Sequence, residues 1–128
     1  MPNPAQITPF VVHVVDDDTA VCSSLKFVLE TEGFAVKTYG SSQELLEAEA
    51  PLKGCLVVDY NLPGTNGLDL LRELSRRQVR LPSFLITTNP AAHVRHRADA
   101  QGVAIIEKPL LGNQLSEAVR ESYSRYSA

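Results

Sequence analysis

The chain has 128 residues, with 12 Lys and Arg against 15 Asp and Glu for a formal net charge of −3, and 44% of its residues are hydrophobic. That length fits one domain with a core of its own and leaves no comfortable room for a second. A net negative charge gives no general attraction to nucleic acid or an anionic membrane, and no apolar run approaches the roughly 18 residues that cross a bilayer.

Residues 1–9 hold three prolines and little apolar content, so a disordered leader is expected there. Residues 10–15, FVVHVV, predict a first strand that runs straight into Asp16, Asp17 and Asp18. Thr19 is the expected cap of a helix whose apolar face is Val21, Leu25, Val28 and Leu29 and which stops at Gly33. Residues 34–39 predict a second strand, and the following SSQELLEAEA supplies a Ser cap and a second helix ahead of Pro51. The unbroken apolar run from Cys55 to Val58 is β-rich and bounded by glycine, so it reads as a central parallel strand buried on both faces. It delivers Asp59 to its carboxyl end, where Asn61, Pro63, Gly64, Asn66 and Gly67 turn the chain away.

Residues 68–77 place Leu68, Leu71 and Leu74 at helical spacing. Pro82 then precedes a fourth strand, 83–87, ending at Thr87 and Thr88, and residues 91–101 predict a thin helix with Ala91, Val94 and Ala98 inward. Residues 103–107 give a fifth strand up to Lys108 and Pro109, and Leu111, Leu115, Ala118 and Val119 mark a closing helix. Cys22 and Cys55 fall in a helix and a buried strand, so both are expected as reduced core residues, which points to a reducing cytoplasm. His13 is read as a packed strand residue, and Arg76, Arg77 and Arg80 as a solvated helix end.

Five strands alternating with five helices argue for an α/β sandwich, a (βα)5 domain around a five-stranded parallel sheet. Asp16, Asp17, Asp59, Thr87 and Lys108 all stand at carboxyl ends of strands, so one sheet edge can gather them. Carboxylates brought within ~4 Å repel by roughly 4 kcal/mol per pair at an effective dielectric constant of about 20, and such a cluster calls for a cation. Short all-oxygen ligands suit Mg²⁺, while Lys108 adds a mobile positive charge and Thr87 a hydroxyl. Together these groups suit phosphoryl transfer, with Asp59 as the nucleophile that forms an acyl phosphate.

The stretches HVVDDD, VVDYNLPGTNG, the strand ending at Thr87, and IEKP resemble the receiver domain of bacterial two-component response regulators, most closely the FixJ subgroup. The resemblance spans nearly the whole chain from Phe10 onward and implies a doubly wound sandwich whose sheet has the flavodoxin-like order 2-1-3-4-5. It implies that Asp16 and Asp17 form the acidic metal pair, Asp59 the phosphoacceptor, Thr87 the switch hydroxyl and Lys108 the family's lysine. It further implies a metal contact from the backbone carbonyl of Asn61, a cis peptide before Pro109, a receiver unit over residues 10–124 and a tail at 125–128. The implied partners are a sensor histidine kinase or phosphotransfer protein and a downstream protein target, with no direct nucleic-acid or membrane contact; a homodimer is compatible with it.

Two other function classes fit parts of the sequence. The Asp-x-Asp within residues 16–18 suits a haloacid-dehalogenase-like, Mg-dependent phosphatase, which leaves Asp59 unexplained. A pseudo-receiver would keep the fold as an interaction module and never turn over phosphate. Thr88 stands where receivers usually carry Ala or Gly, and Ile105 where they carry Tyr or Phe. Output is therefore expected from the segment between Thr88 and Gly102 rather than from a rotating aromatic at 105.

Overall fold

The computed structural model describes residues 10–48, 52–110 and 113–127. Five strands form one parallel sheet: β1 (Val11–Val15), β2 (Ala35–Tyr39), β3 (Gly54–Asp59), β4 (Ser83–Thr87) and β5 (Ala104–Glu107). Numbered in chain order, they lie side by side as β2-β1-β3-β4-β5, the flavodoxin-like order. The helices are α1 (Thr19–Thr31), α2 (Ser42–Leu46), α3 (Gly67–Arg76), α4 (Ala92–Ala100) and α5 (Gln114–Ser127). None of them is long and apolar enough to cross a membrane.

The apolar run of β3 is buried from both sides, as its lack of alternation predicts. Cys55 and Val57 join a core with Leu25 and Leu29 of α1 and Val119 of α5. Leu56 and Val58 join a second core with Leu45 of α2, Leu68, Leu71 and Leu74 of α3, and Val94 of α4. These four apolar side chains of β3 are at most 1% exposed, and burying each of the three aliphatic ones contributes about 1.5–3 kcal/mol. The sheet is therefore a middle layer that solvent reaches chiefly at its edges, and its carboxyl edge carries the acidic residues.

Several local features differ from the expectations. Asp18, not Thr19, caps α1: its Oδ1 accepts the N–H groups of Ala20 at 2.9 Å and Val21 at 3.3 Å, in keeping with the higher rank of Asp at this position. The buried stripe of α1 is Cys22, Leu25 and Leu29, while Val28 is 46% exposed because it falls at the edge of that stripe. Helix α2 is capped by Ser41 but ends at Leu46, and residues 49–51 lie outside those described. Ala91 is exposed ahead of α4, leaving Val94 and Ala98 as its buried residues. The turn after Asp59 carries a small antiparallel hairpin, Asn61–Leu62 with Thr65–Asn66. Helix α5 continues to Ser127, so residues 125–127 complete it rather than forming a tail. The expected leader at 1–9 and Leu111 fall outside the described residues. Both cysteines are free and buried.

His13 is 3% exposed, and its hydrogen bonds settle its tautomer. Its Nε2 lies 3.0 Å from the Lys53 carbonyl, which can only accept, so Nε2 carries the proton and Nδ1 accepts from the Tyr39 hydroxyl at 2.9 Å. Burial holds the imidazole below its ordinary value of 6.5, partly opposed by the Lys53 carbonyl. Because the unfolded chain then binds the extra proton more readily, stability is fully present above 6.5 and declines as pH falls below it. Denaturant midpoints measured from pH 7.5 down to 5.5 should fall further for the native chain than for His13→Gln, which keeps a donor to Lys53; parallel pH profiles would count against this role.

Candidate functional site

Each site residue stands at or just beyond the carboxyl end of a strand of the parallel sheet. Side chains alternate along β1 and β3, so Asp16, two residues beyond Val14, and Asp59, two beyond Val57, lean to the sheet face that α1 covers. Asp16 is 1% exposed and Asp59 5%, whereas Asp17 is exposed. One carboxylate oxygen from each of Asp16, Asp17 and Asp59 lies within 4.8 Å of the others. Across the edge, Lys108 extends Nζ to 3.2 Å from Asp59 Oδ1 and 3.5 Å from Asp16 Oδ2. Its N–H donates to the Thr87 carbonyl at 2.8 Å, which fixes the end of β5 against the end of β4.

One ammonium does not balance three carboxylates. Burial and the neighbouring Asp16 charge raise the Asp59 pKa, Lys108 pulls it back, and Asp17 raises it further; the net shift is upward. Lys108 is itself penalised by burial, yet Asp59 and Asp16 outweigh that penalty and hold its ammonium above the usual value. The two shifts agree on one picture: the pocket is too negative for its solvation. Carboxylate oxygens at this spacing form the hard, all-oxygen donor set that suits Mg²⁺.

Of the residues singled out in the sequence, Asp16, Asp17, Asp59 and Lys108 are brought together, and Thr87 is 4% exposed at the adjoining strand end. Asn61 is exposed in the hairpin that follows Asp59. Thr88 is exposed, and the Lys108–Pro109 bond is cis. Ile105 is half-buried and packs against the second core, opposite Leu85 in the β4–β5 register. Two supports escaped the sequence reading. The Asp18 N–H donates to Asp16 Oδ1 at 2.9 Å while its side chain caps α1, and Cys22 Sγ donates to the Asp16 carbonyl at 3.3 Å. The first was accessible from cap preferences; the second needed the helix phase. Gly67 matters equally, since a Cβ there would meet the Asp59 carbonyl at 2.6 Å and Leu85 Cδ1 at 2.7 Å.

Residues 12–120 match the family model described as response regulator receiver domain. The chain is 40% identical over 116 residues to the transcriptional regulatory protein FixJ of Azorhizobium caulinodans, covering 89% of this chain and 55% of that protein. It is 35% identical over 114 residues to nodulation protein W of Bradyrhizobium diazoefficiens, covering 88% of this chain and 50% of that one. It thus spans about half the length of these curated relatives. Among solved structures, FixJ-N superposes with a TM-score of 0.79 at 34% identity, covering 92% of this chain and 96% of that one. Response regulator StyR superposes with a TM-score of 0.84 at 30% identity, covering 94% of this chain and 62% of that one.

The excess of negative charge has a direct consequence for stability. Replacing Asp16 and Asp17 together by Asn removes two of the three carboxylates while keeping an acceptor for the Asp18 N–H. In chelator-treated buffer this double variant should melt roughly 3–6 °C above the native chain. An unchanged or lower midpoint would show that the carboxylates do not strain the fold.

Proposed function

The chain belongs to the response regulator receiver domain family, and on that premise we propose that the domain from Phe10 through α5 acts as a phosphoacceptor unit whose Asp59 takes a phosphoryl group from a sensor histidine kinase or phosphotransfer protein. The observation that carries this reading is the Lys108 ammonium 3.2 Å from Asp59 Oδ1, within a cluster that holds two further carboxylates. An Asp59 oxygen forms a bond to phosphorus while the phosphorus–nitrogen bond to the donor imidazole breaks, and the imidazole leaves. Hydrolysis of the acyl phosphate returns the carboxylate. Lys108 faces the oxygen that gains the phosphoryl group and offsets its charge. Thr87, at the adjoining strand end, supplies a hydroxyl to a phosphoryl oxygen.

Asp16, Asp17 and Asp59, with the Asn61 carbonyl, would hold Mg²⁺. When bound, that ion supplies positive charge shared between the carboxylates and the phosphoryl oxygens. The protein's own part is to fix those oxygens in advance, Asp16 through the Asp18 N–H and Asp59 through the packed end of β3. An apolar groove of about 380 Å³ bounded by α1, residues 106–110 and the start of α5 opens beside Lys108, and a protein phosphodonor seated there would lie next to the acceptor. The phosphorylated domain then changes its surface for a downstream protein target.

Incubation with acetyl phosphate and Mg²⁺, followed by intact mass and peptide mapping, should add one phosphoryl group at Asp59, and none to Asp59→Asn. Label at Asp16 would favour the phosphatase-like reading, and no label from any donor would favour an interaction module that keeps only the fold. Mg²⁺ alone should raise the thermal midpoint of the native chain and leave that of the Asp16→Asn, Asp17→Asn variant unmoved.

A further inference from the structure

Helix α4 is joined to the domain by little apolar contact, since Val94 and Ala98 are its buried residues and no side chain caps its start. A polar tether does the joining. Arg97 Nη2 donates to Asp69 Oδ1 at 2.5 Å and Arg97 Nε donates to Gln101 Oε1 at 2.8 Å. Gln101 Nε2 in turn donates to the Leu68 carbonyl at 3.1 Å. Both tethers end on the first turn of α3.

That turn is locked to the candidate site. Asn66 caps α3, its Oδ1 accepting the Asp69 N–H at 2.9 Å, while its Nδ2 donates to Asp69 Oδ2 at 3.1 Å. Asn66 pairs with Asn61 in the hairpin two residues past Asp59. The Gly67 N–H donates to the Tyr60 carbonyl at 2.8 Å, and the space beside Gly67 is closed by the Asp59 carbonyl 2.6 Å from where a Cβ would sit. The Asp69 carboxylate therefore has one oxygen on α4 and the other on the cap of the acceptor turn.

We propose that Arg97 is a positioning residue for the Asp59 site: acting through Asp69, it holds the first turn of α3 and the Asn61–Asn66 hairpin in the arrangement that accepts a phosphoryl group. The effect on phosphorylation rests on the acceptor reading above; the effect on the turn does not. The same carboxylate oxygen provides an internal control. Arg72 also reaches Asp69 Oδ1, at 3.3 Å, but it sits on α3 itself and cannot tether α4. Charge beside Asp69 and attachment of α4 are thus separable. The Arg97 hydrogen bond holds the Asp69 carboxyl below the usual carboxylate range, so the tether stays charged at neutral pH.

The experiment compares Arg97→Gln, Asp69→Asn, their double variant and Arg72→Gln. Amide chemical shifts of residues 60–67 are read without phosphodonor, alongside the rate of labelling by acetyl phosphate and Mg²⁺ and the thermal midpoint. Arg97→Gln and Asp69→Asn should each move the 60–67 signals and change the labelling rate by about threefold or more, with the double variant no worse than the stronger single. Arg72→Gln should do neither, and midpoints should shift little because ion pairs still reached by solvent contribute little to stability. Unmoved turn signals in Arg97→Gln, equal effects from Arg72→Gln, or additive rate effects would overturn the proposal. If the native chain takes no label, the acceptor reading fails by itself, and the amide shifts still decide whether Arg97 holds the turn.

Discussion

Three carboxylates facing one ammonium set the terms for the rest of this structure. Asp16, Asp17 and Asp59 come within 4.8 Å of one another, and Lys108 offsets only part of their charge. A pair of such charges costs on the order of 4 kcal/mol at an effective dielectric constant near 20, a large fraction of the net stability of a small domain. The fold carries that cost because the two hydrophobic cores flanking β3 stabilise it independently, and because Asp17 remains in solvent while Asp16 receives the Asp18 N–H. Three carboxylate oxygens held this close form a hard, all-oxygen donor set of the kind that suits a divalent cation.

A parallel sheet makes the convergence possible. Every strand runs the same way, so every carboxyl end lies on one edge, and residues remote in sequence meet without any loop reaching far. The ends are then pinned to one another by backbone contacts. Lys108 N–H bonds to the Thr87 carbonyl, Tyr60 N–H to the Ile86 carbonyl, and Gly67 N–H to the Tyr60 carbonyl. These bonds do not depend on side-chain chemistry at the site, which is why the acidic residues can be placed closely without the edge opening.

The helices that share one face of the sheet are not held alike. Helix α3 buries Gly67, Leu68, Leu70, Leu71 and Leu74, while α4 buries only Val94 and Ala98 and depends on Arg97, Gln101 and the exposed Arg95–Glu107 pair. Elements with few buried apolar contacts open first. Beneath α4, Ile105 packs into the second core. As a β-branched aliphatic it has one strongly preferred rotamer and no polar tip to exchange with water. Position 105 is thus held by apolar packing, whereas α4 is held largely by polar attachments.

The inner strands and the residues at their ends were legible in the chain because burial on two faces leaves an unbroken apolar run, and a following cluster of Asp, Asn, Pro and Gly cannot continue a strand. That logic located Asp16, Asp59 and Lys108 before any distance was known. Helix phase was less legible: Val28 looks as apolar as Leu29, and only packing against β1 and β3 decides that Cys22 turns inward while Val28 stays 46% exposed. The Asp18 cap lay within reach of local rules, yet the run of three acids disguised which one serves the helix and which two face Asp59. The tether from Arg97 to Asp69 spans 28 residues, and nothing local distinguishes Arg97 from the other arginines nearby. Sequence by itself determined which groups stand at the sheet's edge, because strand burial is a local pattern. Tertiary structure alone decided which of them touch and what holds α4 in place, because charge pairing depends on distances that only the packed helices define.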